Sequence, residues 1–351
     1  LKKLIKKILL SPNIAKKINI YGFGRSGTKA LQQYIAMVMI EKYDRIGINY
    51  EPLLWASVRV LAFCRNGTRI HEEIPLFCDS ISHQTHLRTI KSLSFYEQGI
   101  TKFIHACGRI QTINKIIQPD HTIVLIRDAY ELINSLVNTS WDFFTRRYPK
   151  TNDWQRFKEE SIEKKVAPDF EAMINELTYE WEKYFLYWYA MNYYALDKYK
   201  TYGRNVCFLW FRKFSVNDLL KQLELPVPHY PIEQCYGGLI HKSVFYTIES
   251  HLPNLYFWFY NRIFRRNPMT RKHIRTYLRK KDSIEAIEKF SGAGKPKWIW
   301  ETPLVRHVQE QVQNKFNELP QEHRLYKEKI PYSRTKYLFG GENTKASESN
   351  K

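Results

Sequence analysis

Residues Tyr21 to Lys29 read Tyr-Gly-Phe-Gly-Arg-Ser-Gly-Thr-Lys, and residues of these types at this spacing can bind phosphate. Glycines let successive backbone N–H groups converge on one anion, and a helix that starts directly afterwards adds the positive end of its dipole. Gly22 to Gly27 has the GxxxxG spacing of a nucleotide loop, but Thr28-Lys29 stands where a nucleoside-triphosphatase loop has Lys followed by Ser or Thr. A glycine turn before a helix also serves packing alone, so the loop by itself fits either role. A second pair, Arg127 and Ser135, lies in Ile-Arg-Asp-Ala-Tyr-Glu-Leu-Ile-Asn-Ser. Taken alone, this pair reads equally as a helix-start ion pair with a helix hydroxyl or as a ligand site.

These groups need a scaffold that brings loop and Arg127 together. Ile18 to Tyr21 reads as an apolar strand, and a helical stretch runs from Thr28 to about Lys42, so the order is strand, loop, helix. Thr101 to His105 and Thr122 to Ile126 read as further strands, the second with the unbroken apolar run of a buried parallel strand. A helical pattern follows each of them. Phe170 to Tyr199 reads as one long aromatic helix, with Trp181, Phe185, Trp188 and Tyr189 at helical spacing, which fits a core or bracing helix better than a cofactor site. The strand Asn205 to Phe211 precedes a helix from Ser215 to Leu223. Strands alternating with helices predict an α/β fold: a three-layer parallel sheet with helices on both faces and a helical elaboration.

The 351 residues and 44% hydrophobic content suit one large domain or two small ones, and a single domain is expected over residues 13–337. Residues 1–12 form a basic amphipathic helix by pattern, with Lys2, Lys3, Lys6 and Lys7 opposite Leu4, Ile5, Ile8 and Leu9. Residues 338–351 read as a disordered tail. A net charge of +20 favours anionic partners without choosing among nucleotides, acidic glycans, nucleic acid and anionic membranes. The basic run Arg262, Arg265, Arg266, Arg271, Lys272, Arg275, Arg279, Lys280 and Lys281 carries no recognised nucleic-acid motif and reads as a solvated or acceptor-facing patch. Five cysteines, Cys64, Cys78, Cys107, Cys207 and Cys235, show no CxxC pair or metal-ligand spacing, so a reducing compartment and no metal are expected. The sequence has no apolar run of the roughly 20 residues a membrane span needs and no secretory signal pattern, so a cytoplasmic location is expected.

The whole loop resembles the 5′-phosphosulfate loop of the sulfotransferases that use 3′-phosphoadenosine 5′-phosphosulfate (PAPS), in which a Lys or Arg precedes Ser-Gly-Thr at the end of the first strand. Arg25-Ser26-Gly27-Thr28 has that pattern. The family's second signature, an Arg at a strand end and a Ser eight residues on, is similar to Arg127 and Ser135. The resemblance extends to the strand and helix within Asn205 to Leu225, and more faintly to Ser291-Gly-Ala-Gly-Lys295. Ala30 departs from it, standing where many members place an adenine-stacking Trp, and Lys29 replaces a second Thr.

What the resemblance implies is a PAPS-dependent enzyme of P-loop type, releasing adenosine 3′,5′-bisphosphate (PAP) and needing no metal. By resemblance, Gly24, Arg25, Ser26, Gly27, Thr28 and Lys29 hold the 5′-phosphosulfate, with Arg25 offsetting charge on the leaving phosphate. Arg127 and Ser135 hold the 3′-phosphate, and Gly294 and Lys295 belong to the loop that closes over it. His105 is the implied catalytic base, with Glu51 the alternative because many carbohydrate-directed members use Glu. The expected acceptor is a hydroxyl, foremost of an envelope or capsular saccharide, and Leu1 to Leu10 suit peripheral attachment to the inner face of an anionic membrane. Two other readings stand beside this one: a P-loop kinase with Asp128 near Mg²⁺, and a non-enzymatic polyanion- or nucleic-acid-binding protein.

Overall fold

The computed structural model describes residues 16–43, 47–50, 75–81, 87, 90, 99–104, 106–137, 153–179, 181–228 and 302–325. Five strands, β1 (Lys17–Gly22), β2 (Gly47–Tyr50), β3 (Gly99–Ile104), β4 (His121–Ile126) and β5 (Val206–Trp210), form one sheet in the order β2-β3-β1-β4-β5. Every neighbouring pair is parallel. All residues of β4 and β5 are buried, the pattern of strands covered on both faces. The protein is therefore α/β, with an all-parallel sheet flanked by helices.

Alternation along the strands divides the core in two. Ile18, Ile20, Ile100, Ile123, Leu125, Cys207 and Leu209 pack with α1 (Thr28–Tyr43) and, following β5, with the helix Val216–Gln222. Tyr21, Phe103, Val124, Ile126, Phe208 and Trp210 join the second cluster. That cluster takes in α2 (Ile110–Ile117), α3 (Ala129–Val137), α4 (Asp153–Glu163), α5 (Phe170–Asn175) and α6 (Glu182–Asp197). Val216–Gln222 is α7, and α8 (Pro303–Asn317) completes the second cluster. Ser215 caps α7 by accepting from Asp218 N, and Thr302 caps α8 by accepting from Val305 N, with Pro303 in the first turn.

The aromatic segment is two helices, not the single one its spacing predicts. α5 ends at Asn175 and α6 begins at Glu182. The side chain of Glu182 makes the break: its carboxylate accepts from the N–H groups of Thr178 at 2.8 Å and Tyr179 at 2.9 Å, and from the Thr302 hydroxyl at 2.6 Å. Those backbone groups are thereby satisfied outside a helix, in the manner of a capping box. As the spacing indicates, Trp181, Phe185, Trp188 and Tyr189 are core residues. The Tyr187 ring sits 4.7 Å from Phe157 and 5.0 Å from Phe23 in edge-on contacts, tying α6 to α4 and to the loop after β1.

The buried amide of Asn114 links several elements of this core. Asn114 Oδ1 accepts from Tyr21 Oη at 2.8 Å, and its Nδ2 donates to Thr122 Oγ1 at 2.8 Å and to the Tyr202 carbonyl at 3.0 Å. Burial raises the Tyr21 hydroxyl well above its ordinary pKa, which keeps it a neutral donor. Cys78, Cys107 and Cys207 are buried free thiols, and burial pushes Cys107 up to about 12. No helix among the described residues is long and apolar enough to cross a membrane. Leu1 to Leu10, the basic run from Arg262 to Lys281 and the tail 338–351 lie outside the described residues.

Candidate active site

In a parallel sheet the carboxyl ends of all strands share one edge. The register levels them here: Gly22 pairs with Ile104 and with Leu125, and Ile126 pairs with Trp210. The chain leaves β1 toward β2 at one side of the sheet and leaves β4 toward β5 at the other. Such a divergence opens a crevice between the ends of β1 and β4, the usual place for a ligand in open α/β sheets.

The loop after β1 lies at that crevice. The N–H of Ser26 donates to the Phe23 carbonyl at 3.1 Å, closing a turn, and the Ser26 hydroxyl donates to the same oxygen at 2.7 Å. Ser26 thus fixes the shape of the turn. Arg25 is exposed and adopts a left-handed backbone, φ 73°. α1 opens with Leu31 N–H to Gly27 carbonyl at 3.1 Å, so its first turn presents N–H groups at the loop. Two of the glycines are required by packing. A Cβ on Gly22 would lie 2.8 Å from the Leu125 carbonyl of β4, and one on Gly27, whose φ is +95°, would lie 2.5 Å from the Phe211 ring.

Arg127, the first residue after β4, reaches across the crevice. Its Nη1 donates to the Arg25 carbonyl at 2.9 Å, and its Nε pairs with Glu131 at 3.1 Å. Its guanidinium carbon lies 4.9 Å from the centre of the Phe211 ring, a cation–π contact. Its own carbonyl accepts from the indole N–H of Trp188 at 2.9 Å, so the aromatic core helix braces the residue from behind. Burial lowers its pKa, Glu131 acts in the opposite sense, and the cations Arg212 and Arg25 lower it further, yet a guanidinium stays charged. Arg127 thus makes the helix-start ion pair, and it also meets the loop. Ser135 is in α3, one turn beyond Glu131.

Asp128 caps α3. Its Oδ1 accepts from Tyr130 N at 3.0 Å and Glu131 N at 3.2 Å, and its Oδ2 accepts from Gln309 Nε2 at 2.9 Å. Burial pushes this carboxyl up to about 6, while the backbone donors and Arg127 pull it down. Gln309 also accepts from Ala129 N at 3.0 Å through Oε1.

His105 directly follows the last residue of β3, and Glu51 directly follows β2; both lie outside the described residues, as do Gly294 and Lys295. Gly24, Arg25, Ser26, Gly27, Thr28, Lys29 and Arg127 are brought together at one edge. Sequence reasoning passed over Phe211, Arg212 and Gln309 as site residues. Phe211 and Arg212 follow β5 directly, so the rule that strand ends carry ligands was the signal available for them. Gln309 had no signal of its own. Among the described residues no group of three or more His, Cys, Asp or Glu could hold a metal ion. The chain matches no known protein-family model and no curated protein at a significant level, so the functional reading rests on the site itself.

Proposed function

We propose that this protein is a PAPS-dependent sulfotransferase with a three-layer sheet of P-loop type, acting on a hydroxyl acceptor. The observation that carries this reading is the hydrogen bond from Arg127 to the Arg25 carbonyl, between residues 102 apart in sequence. It joins the two motifs, each of which alone has an ordinary structural explanation. The donor set also fits the ligand: Arg25 and Arg212 both act electrostatically on Arg127 at the strand ends, which suits a nucleotide with phosphate at two positions.

Bound PAPS supplies the activated sulfuryl group. In this reading Arg25 and the N–H groups of the loop and the first turn of α1 hold the 5′-phosphate and offset the charge that collects there as its bond to sulfur breaks. Ser26 keeps the turn in shape, and Thr28 and Lys29 flank it. Arg127 and Ser135 hold the 3′-phosphate, with Gly294 and Lys295 closing on it. His105, or Glu51 in its place, takes the proton from the acceptor hydroxyl while the acceptor oxygen bonds to sulfur, and PAP leaves. The favoured acceptor is a saccharide of an envelope or capsular glycan, and Leu1 to Leu10 favour a site at the inner face of an anionic membrane, where each lysine contributes about 1 kcal/mol.

Asp128 weighs against the kinase alternative, since both of its oxygens are engaged in capping α3 and binding Gln309 rather than turned to a metal. The test is thermal stability in chelator. PAP should raise the melting temperature without metal, whereas stabilisation by ATP only with Mg²⁺ would overturn the reading. Transfer of ³⁵S from PAPS to extracted glycans and lipids then identifies the acceptor.

A further inference from the structure

Two turns at the carboxyl edge of the sheet are built alike. After β1, the Ser26 N–H donates to the Phe23 carbonyl at 3.1 Å, and Arg25 is the third residue of the turn with φ 73°. After β5, the Lys213 N–H donates to the Trp210 carbonyl at 2.9 Å, and Arg212 is the third residue of the turn with φ 62°. A positive φ at that position is the ordinary place for Gly or Asn, because a Cβ there crowds the backbone. Both turns instead carry an exposed arginine. Neither arginine is needed for the turn, so the side chain is what the strained position presents.

Arg212 also shares an aromatic ring with Arg127. The Phe211 ring lies 4.9 Å from the guanidinium carbon of Arg127 and 5.3 Å from that of Arg212. Arg25 and Arg212 are the two cations that act on Arg127. The ring itself is packed beside Gly27, where a Cβ would touch it at 2.5 Å. Phe211 therefore serves as one apolar platform between two guanidiniums at the mouth of the phosphate loop. Three adjacent strands, β1, β4 and β5, are each followed within three residues by an arginine.

We propose that Arg212 is a third guanidinium contact to the nucleotide, the β5 counterpart of Arg25, and that it selects ligands carrying phosphate at two positions over those carrying one. The assignment rests on the PAPS reading for the identity of the nucleotide. It does not rest on that reading for the anion contact, which follows from the shared ring and the paired turns.

The test uses Arg212→Gly in the full chain. Glycine is at ease at φ 62°, so this variant removes the guanidinium while relieving the backbone, and its melting temperature should equal or exceed that of the unaltered protein. Calorimetric titrations with PAP, adenosine 5′-monophosphate and inorganic pyrophosphate supply the readout. The expected result is PAP affinity weaker by roughly tenfold or more, as for loss of a charge-assisted phosphate contact, with adenosine 5′-monophosphate changed much less. Equal PAP affinity in the two proteins would overturn the role of Arg212 and leave the sulfotransferase reading intact. If the unaltered protein ignores PAP but binds pyrophosphate, and Arg212→Gly loses that binding, the PAPS reading fails and the arginine contact stands. Binding of neither ligand by the unaltered protein would overturn both.

Discussion

The side-chain amide of Gln309 and the carboxylate of Asp128 lock α8 to the first turn of α3. Gln309 donates to Asp128 Oδ2 at 2.9 Å and accepts from the adjacent Ala129 N–H at 3.0 Å. Arg127 is the next residue back along the chain, so this clamp fixes the backbone from which its guanidinium reaches the loop. Gln309→Leu fills a similar volume but strands the Ala129 N–H and removes a donor from Asp128. A loss of about 1 to 3 kcal/mol is expected for the stranded group. An unchanged urea midpoint would show that the clamp contributes nothing.

Asp128 gives stability a pH dependence of predictable sign. Its carboxyl is pushed up to about 6, above the unfolded value, so the folded protein holds this proton more tightly than the unfolded chain does. Its contribution to stability therefore falls as pH rises through the window between the ordinary carboxyl value and about 6. Two pH units correspond to at most about 3 kcal/mol, and less for a side chain that keeps some contact with water. Urea titrations of the unaltered protein and Asp128→Asn at intervals from pH 4 to 7 isolate the effect. The unaltered protein should gain on the variant as pH falls, and parallel curves would contradict the assignment.

Arg25→Ala and Arg127→Ala should each weaken PAP binding by about 1.5 to 3 kcal/mol through loss of a charge-assisted contact. Arg127→Lys should recover little. A single ammonium cannot serve the Arg25 carbonyl, Glu131 and the Phe211 face together as the planar fork does. Titration calorimetry on folded variants decides; unaltered affinity in both alanine variants would remove the nucleotide site from this edge.

Gly27→Ala tests the loop without touching a charge. The residue sits at φ +95°, where a Cβ costs about 1 to 2 kcal/mol, and the added methyl would press on the ring beneath Arg127 and Arg212. Both the melting temperature and PAP affinity should drop. A variant as stable and as tight-binding as the parent would mean that the loop is free to rearrange.

His105→Ala should keep PAP affinity and lose roughly 10²- to 10⁴-fold in sulfuryl transfer, because the base acts on the acceptor. Normal turnover would pass the role to Glu51, tested by Glu51→Gln.

What the sequence disclosed follows from which forces act locally. β4 was legible because a strand buried on both faces needs an unbroken apolar run, and β1 and its loop because an apolar stretch runs into glycines that precede a helix. The break between α5 and α6 was hidden, since aromatic spacing continues across it and the interruption is made by the carboxylate of Glu182 with a partner at Thr302. Gln309 could not be found either: its amide acquires meaning only when α8 folds back onto α3. The contact between Arg127 and Arg25 could be expected from the motifs, but the Phe211 platform depends on how far β5 extends beside β4.

The position of β1 at the middle of the sheet governs how the chain can be made. β1 is synthesised first among the described strands, yet Lys17 pairs with Gly99 and Ile18 with His121. At about 5 to 20 residues per second, the ribosome needs on the order of 5 to 20 s to deliver those partners. During that interval an apolar strand with two bare edges is exposed in the nascent chain, and a parallel ladder offers no hairpin by which it could pair early. The segment Ile18 to Tyr21 therefore stays without its ladder partners until β3 and β4 have been made.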